Sequence, residues 1–87
     1  MLISHRQEIE DVMRERQRQL DKFGPQDHTP IKWHAIMAEE MGEMAKEVVE
    51  ITFSDKPEDE YYKELKEAVA VGLAAMQNYN QRKRNAQ

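Results

Sequence analysis

Apolar residues recur along this chain at the spacing of a helix, in three blocks separated by glycine and proline. In the first, Ile9, Val12, Met13, Arg16 and Leu20 trace one face between about Ser4 and Lys22, with charges elsewhere. The stripe is thin, as suits an outer helix laid over a core that others make. Ser4 is placed to cap its start. The run Phe23-Gly24-Pro25-Gln26-Asp27-His28-Thr29-Pro30 breaks the pattern. Gly24 can take the left-handed conformation that ends a helix, and Pro25 cannot extend the ladder. Thr29 as N-cap and Pro30 at the first helical position then restart it. The second helix is predicted from Pro30 to about Phe53, with Met37, Met41, Met44, Ala45, Val48 and Thr52 as its core stripe and Ile36 and Ile51 along one edge. At roughly 100° per residue, Glu40 and Glu47 fall on that same edge, Glu43 one step further round, and Glu39 further still toward water. A carboxylate at the edge of a core is costly unless it is paired or coordinates a metal.

The segment Ser54-Asp55-Lys56-Pro57 reads as a connector, and the acidic Glu58-Asp59-Glu60 suits the positive end of a third helix. That helix is expected to reach Tyr79 or Gln81. Its middle, Ala68 to Met76, is apolar nearly all round, the pattern of a helix buried on several sides. Two partner helices do not cover such a surface. The expected fold is therefore all-α, with three main helices per chain, an antiparallel pair carrying the acidic residues, and a four-helix-bundle core completed by a second subunit. A homodimer or homotetramer would satisfy this.

Length sharpens the expectation of self-association. With 87 residues the chain makes a single helical domain, and domains of this size bury too little surface to be stable with ease. There is no cysteine, so disulfides and thiolate metal sites are excluded, and an oxygen-ligated metal or an oligomer is left as the remedy. The formal net charge of -4 speaks against nucleic acid as a partner. The basic run Gln81-Arg82-Lys83-Arg84 reads as a solvated helix end near the negative pole of the dipole, with Arg82 to Gln87 fraying beyond it. No stretch approaches the ~18 apolar residues of a membrane span. The first residues turn charged too soon for a signal peptide. A cytoplasmic protein with no membrane partner is expected.

The chemistry lies in the carboxylates. Glu40 and Glu43, and again Glu64 and Glu67, stand at i and i+3, side by side on a helix. Antiparallel helices joined by a short connector can bring the two pairs together, and four carboxylates make an all-oxygen donor set for a hard divalent cation such as Mg²⁺. The same residues also fit solvated helix faces neutralised by Lys46, Lys63 and Lys66. A di-iron bundle would need Glu-x-x-His pairs, and none of His5, His28 and His34 follows a glutamate at that distance. Gly24, Gly42 and Gly72 form no phosphate loop, and Ser4 and Ser54 sit at helix ends.

Glu40-x-x-Glu43, a spacer covering residues 44–63, and Glu64-x-x-Glu67 together resemble the signature of the all-α nucleoside triphosphate pyrophosphatases, the MazG-like family related to dimeric dUTPases and dCTP pyrophosphatases. The form Glu39-Glu40-Met41-Gly42-Glu43, the segment from Glu15 to His28, and Trp33 ahead of the acidic helix extend the likeness over most of the chain. The resemblance implies Mg²⁺-dependent cleavage of a nucleoside triphosphate to monophosphate and pyrophosphate. It assigns Glu40, Glu43, Glu64 and Glu67 as metal ligands. Glu43 would also orient the attacking water, Arg18 and Lys22 would meet phosphate oxygens, and Trp33 would wall the pocket or stack on the base. Trp33 is equally a core residue by type. One position departs from the family: its last motif residue is usually Asp, and here Glu67 carries the carboxylate on a longer stem. The competing expectation is a catalytically weak bundle that binds a nucleotide or a partner protein.

Overall fold

The structure, a computed structural model, describes residues 4–86. Three helices account for nearly all of it: α1 (Arg6–Phe23), α2 (Pro30–Ser54) and α3 (Asp59–Asn85), with no strand among the described residues. The breaks fall where the sequence puts them. Thr29 caps α2 by accepting from the Lys32 amide at 3.4 Å, and Pro30 opens the helix. Gly24 ends α1 with φ of 72° and an extended ψ, a region that only glycine occupies at ease, while its amide closes on the Leu20 carbonyl at 2.8 Å. Ser4 is not the first cap: α1 begins at Arg6, and His5 holds the cap position through its backbone carbonyl alone. At the other end, α3 continues through the basic run to Asn85, and Arg82 donates to the His28 carbonyl at 3.1 Å.

The central element is α3. The two other helices flank it without approaching each other. Asp11 meets Tyr62 and Gln19 meets Glu67, so α1 runs in the same sense as α3. Trp33 meets Asn78 and Glu40 meets Glu67, so α2 runs antiparallel to it. The small residues of α3 allow this approach from both sides: Ala68, Ala70, Val71 and Ala74 are its buried apolar positions. The core proper is Trp33, Val71 and Ala74, with Ile36, Met37 and Ala75 packed around them.

On both flanking helices the inward face takes only part of the expected stripe. On α2, Met37 and Met44 of the stripe are half-buried together with Ile36, Glu40, Glu47 and Ile51 of its edge, while Met41 (55% exposed), Val48 and Val49 face outward. On α1, Glu15, Arg16 and Gln19 are buried and Ile9 and Met13 are not. Glu15 is satisfied within α1, by Arg18 and Gln19, while two other polar groups on this side find partners on α3. Gln19 donates to the Glu67 carbonyl at 3.3 Å, and Asp11 accepts from the Tyr62 hydroxyl. The result is an open arrangement. Its radius of gyration is 15.1 Å, against about 12 Å for a compact domain of this length.

Asn78 ties the α1–α2 connector to the core. It is 3% exposed, and both ends of its amide are used. Its Oδ1 accepts from the Trp33 indole at 2.7 Å and from the His28 amide at 3.0 Å, and its Nδ2 donates to the Gln26 carbonyl and to Gln81, each at 3.1 Å. His28 stands edge-on to the Trp33 ring, with centroids 4.8 Å apart. One buried amide thus fixes a loop of irregular backbone whose polar groups have no ladder of their own.

Candidate metal centre

Glu40 reaches α3 because it sits on the inward line of α2, two turns beyond Trp33. Glu64 and Glu67 reach it from α3, one turn apart. Each of the three offers a carboxylate oxygen within 4.8 Å of the others. The outer charges on α2 do not join them. Glu43 is exposed and stands beside the trio, close enough for its charge to act on Glu40 and Glu64. Glu39 is exposed and borders the cleft in front of it. No histidine joins the cluster among the described residues.

The electrostatics are those of acids crowded together. Burial, and then the charges of Glu67 and Glu43, push the Glu40 carboxyl above its ordinary range. Burial again comes first for Glu64, followed by its hydrogen bond to Glu67 and the charges of Glu67, Glu40 and Glu43, and its pKa rises to about 7. Like charges within this distance favour the protonated form unless a cation neutralises them.

Glu40 and Glu47 occupy equivalent edge positions, and the contrast between them is informative. Glu47 is paired: the Lys56 ammonium lies 2.8 Å from it and 2.9 Å from Glu50. Glu40 has no such cation. Its Oε2 is buried and makes no hydrogen bond among the described residues. A buried carboxylate oxygen without a donor is costly, and a hard cation satisfies it together with the neighbouring oxygens. By donor type and by this orphaned atom, Glu40, Glu64 and Glu67 fit a Mg²⁺ ion.

Glu40 and Glu67 of the trio line a cleft of about 570 Å³ between the end of α1, the start of α2 and the middle of α3. Arg18, Lys22 and Lys63 border it alongside Glu39, Glu40 and Glu67, with Trp33, Ile36, Phe23 and Val71 as apolar wall. Arg18 is already engaged. Its guanidinium forks onto Glu15 at 2.9 and 2.8 Å and lies 3.6 Å from Glu67. Lys22 forms no ion pair among the described residues and stands 5.1 Å above the Phe23 ring. Trp33, only 4% exposed, gives most of its ring to the core and an edge to the cleft.

Glu15, Gln19 and Asn78 are the positions that the apolar pattern misses. Glu15 is buried yet held below the ordinary carboxylate range, chiefly by the Arg18 hydrogen bonds. Gln19 bridges Glu15 and the Glu67 backbone at 3.1 and 3.3 Å, so α1 grips the acidic turn of α3 directly. The signal available in the sequence was the cluster of polar residues in the segment from Glu15 to His28, which periodicity assigns to solvent.

The fold and site together define an all-helical chain with an acidic trio set beside basic residues in one cleft. Comparison with family models, with curated proteins and with solved structures found no match for the chain.

Proposed function

We propose that this chain is a Mg²⁺-dependent nucleoside triphosphate pyrophosphohydrolase, which cleaves an NTP or dNTP to the monophosphate and pyrophosphate. The observation that carries this is the convergence of Glu40, Glu64 and Glu67 around a buried carboxylate oxygen without a donor. The sequence likeness to the MazG-like pyrophosphatases supplies the reaction class.

Glu40, Glu64 and Glu67 would hold the ion. Mg²⁺ bound there would neutralise triphosphate charge and acidify a water for attack at the α-phosphorus. Glu43, exposed beside the trio, would orient that water or join the ligands. Lys22 and Lys63 border the cleft as point charges for phosphate oxygens, and Arg18 contributes after exchanging part of its fork from Glu15 or Glu67. The exposed edge of Trp33, with Ile36 and Val71, makes the apolar wall a base or sugar would lie against.

The same proposal includes a second copy of the chain. The outward Met41, Val48 and Val49 of α2, the exposed Val69 and Met76 of α3 and the open shape all leave apolar surface that a homodimer or homotetramer would cover. The acidic residues of α2 would then stand beside the subunit contact.

Incubation with the common NTPs and dNTPs in Mg²⁺ is expected to release pyrophosphate, and chelation with EDTA to abolish it. Orthophosphate in place of pyrophosphate would sink the α-phosphate mechanism. No turnover, with nucleotide still raising the melting temperature, would favour a binding module. Sizing at micromolar concentration is expected to give an oligomer; a monomer would contradict the shared bundle.

A further inference from the structure

Behind the connector, away from the acidic trio, lies a second polar feature. Arg16 is 8% exposed and forms no ion pair and no side-chain hydrogen bond among the described residues, and its Nη1 is buried without an acceptor. A buried guanidinium donor without an acceptor is costly. Its neighbour Arg18 has both carboxylates it needs; Arg16 has none. Arg16 borders a cavity of about 390 Å³ whose other polar lining residues are Gln26, Asp27, Gln77, Asn78 and Gln81. The cavity therefore joins one buried, unmatched positive charge to neutral amide-bearing residues, with a single carboxylate residue that does not reach the guanidinium.

We propose that this cavity is a binding site for a small oxyanion, a carboxylate or phosphate group, seated on Arg16. The guanidinium presents paired donors in a plane that matches either group, and charge-assisted hydrogen bonds of this kind are among the strong ones. Gln26 borders both this cavity and the acidic cleft, and Asn78, at its wall, holds Trp33. An anion on Arg16 thus sits directly behind the segment that forms the cleft. The site does not depend on the hydrolase proposal, and it is tested without nucleotide.

The test is thermal melting and titration calorimetry in chloride buffer free of Mg²⁺, with inorganic phosphate and sodium acetate as separate probes. One of the two is expected to raise the melting temperature saturably, and the responding probe identifies the group. In Arg16→Met the response is expected to vanish, and in Arg16→Lys to weaken by about tenfold or more. Asp27→Asn, which removes the carboxylate from the cavity, is expected to keep its melting temperature and bind the anion more tightly. The proposal is overturned if neither probe acts on the wild type, or if the response survives in Arg16→Met. It is overturned equally if Asp27→Asn melts lower, the sign of an internal Arg16–Asp27 pair, or if Arg16→Met changes the oligomeric state, the sign of an acid from a second copy.

Discussion

Glu64→Gln is expected to cut Mg²⁺-dependent pyrophosphate release by about 100-fold or more, because a metal site contributes several kcal/mol to stabilising transition-state charge. The substitution is nearly isosteric. The new amide can donate to Glu67 as a protonated Glu64 carboxyl would, so the fold should survive. Stability against pH gives a readout independent of turnover. Glu64 has a pKa of about 7 in the folded chain against an ordinary value of 4.5. Its protonated form therefore stabilises the fold fully below the unfolded value, and this contribution is lost as pH rises through about 7. Metal-free wild type should accordingly lose melting temperature across that window, and Mg²⁺ should restore it at the upper end. In Glu64→Gln both the slope and the Mg²⁺ rescue should shrink. A variant that keeps full activity and full rescue would remove Glu64 from the site.

Trp33→Ala should be the most destabilising single change in the chain, costing about 3–5 kcal/mol as an emptied aromatic site. Trp33 is the one large side chain in a core whose other members are Val71 and Ala74. Its loss also strips Asn78 Oδ1 of one of two donors. Trp33→Phe separates the parts: it keeps most of the ring volume and removes the indole donor, and about 1–3 kcal/mol is expected. Urea unfolding followed by helical circular dichroism would measure both. Equal midpoints for Trp33→Phe and wild type would mean that the bond to Asn78 contributes nothing net.

How far the sequence could be read depended on whether local pattern or tertiary partner decided a position. Gly24, Thr29 and Pro30 act through backbone geometry within a few residues, so the breaks they make were legible. Glu40 was legible too, since a charge at the flank of an apolar stripe marks an edge. The face of α1 was legible in part. Of the expected stripe Arg16 is buried and Val12 and Leu20 are half-buried, but Ile9 and Met13 stay exposed, and Glu15 and Gln19 go inward, Glu15 to Arg18 and Gln19 and Gln19 to the Glu67 carbonyl. A pattern of hydrophobicity carries no record of such partners. Asn78 was hidden for the same reason: its value lies in a loop fifty residues earlier in the chain. The exposure of Glu43 beside the trio is a matter of helix phase, one step round from the edge that carries Glu40, and it was legible in the spacing.

The placement of α3 between two helices that never meet has a thermodynamic consequence. Each wall of the acidic cleft comes from a different helix, and α3 is common to both pairs. Detaching α1 removes Arg18 and Lys22 from the cleft but leaves the trio, whereas detaching α2 takes Glu40 away. An ion at the trio would therefore stabilise the α2–α3 pair first.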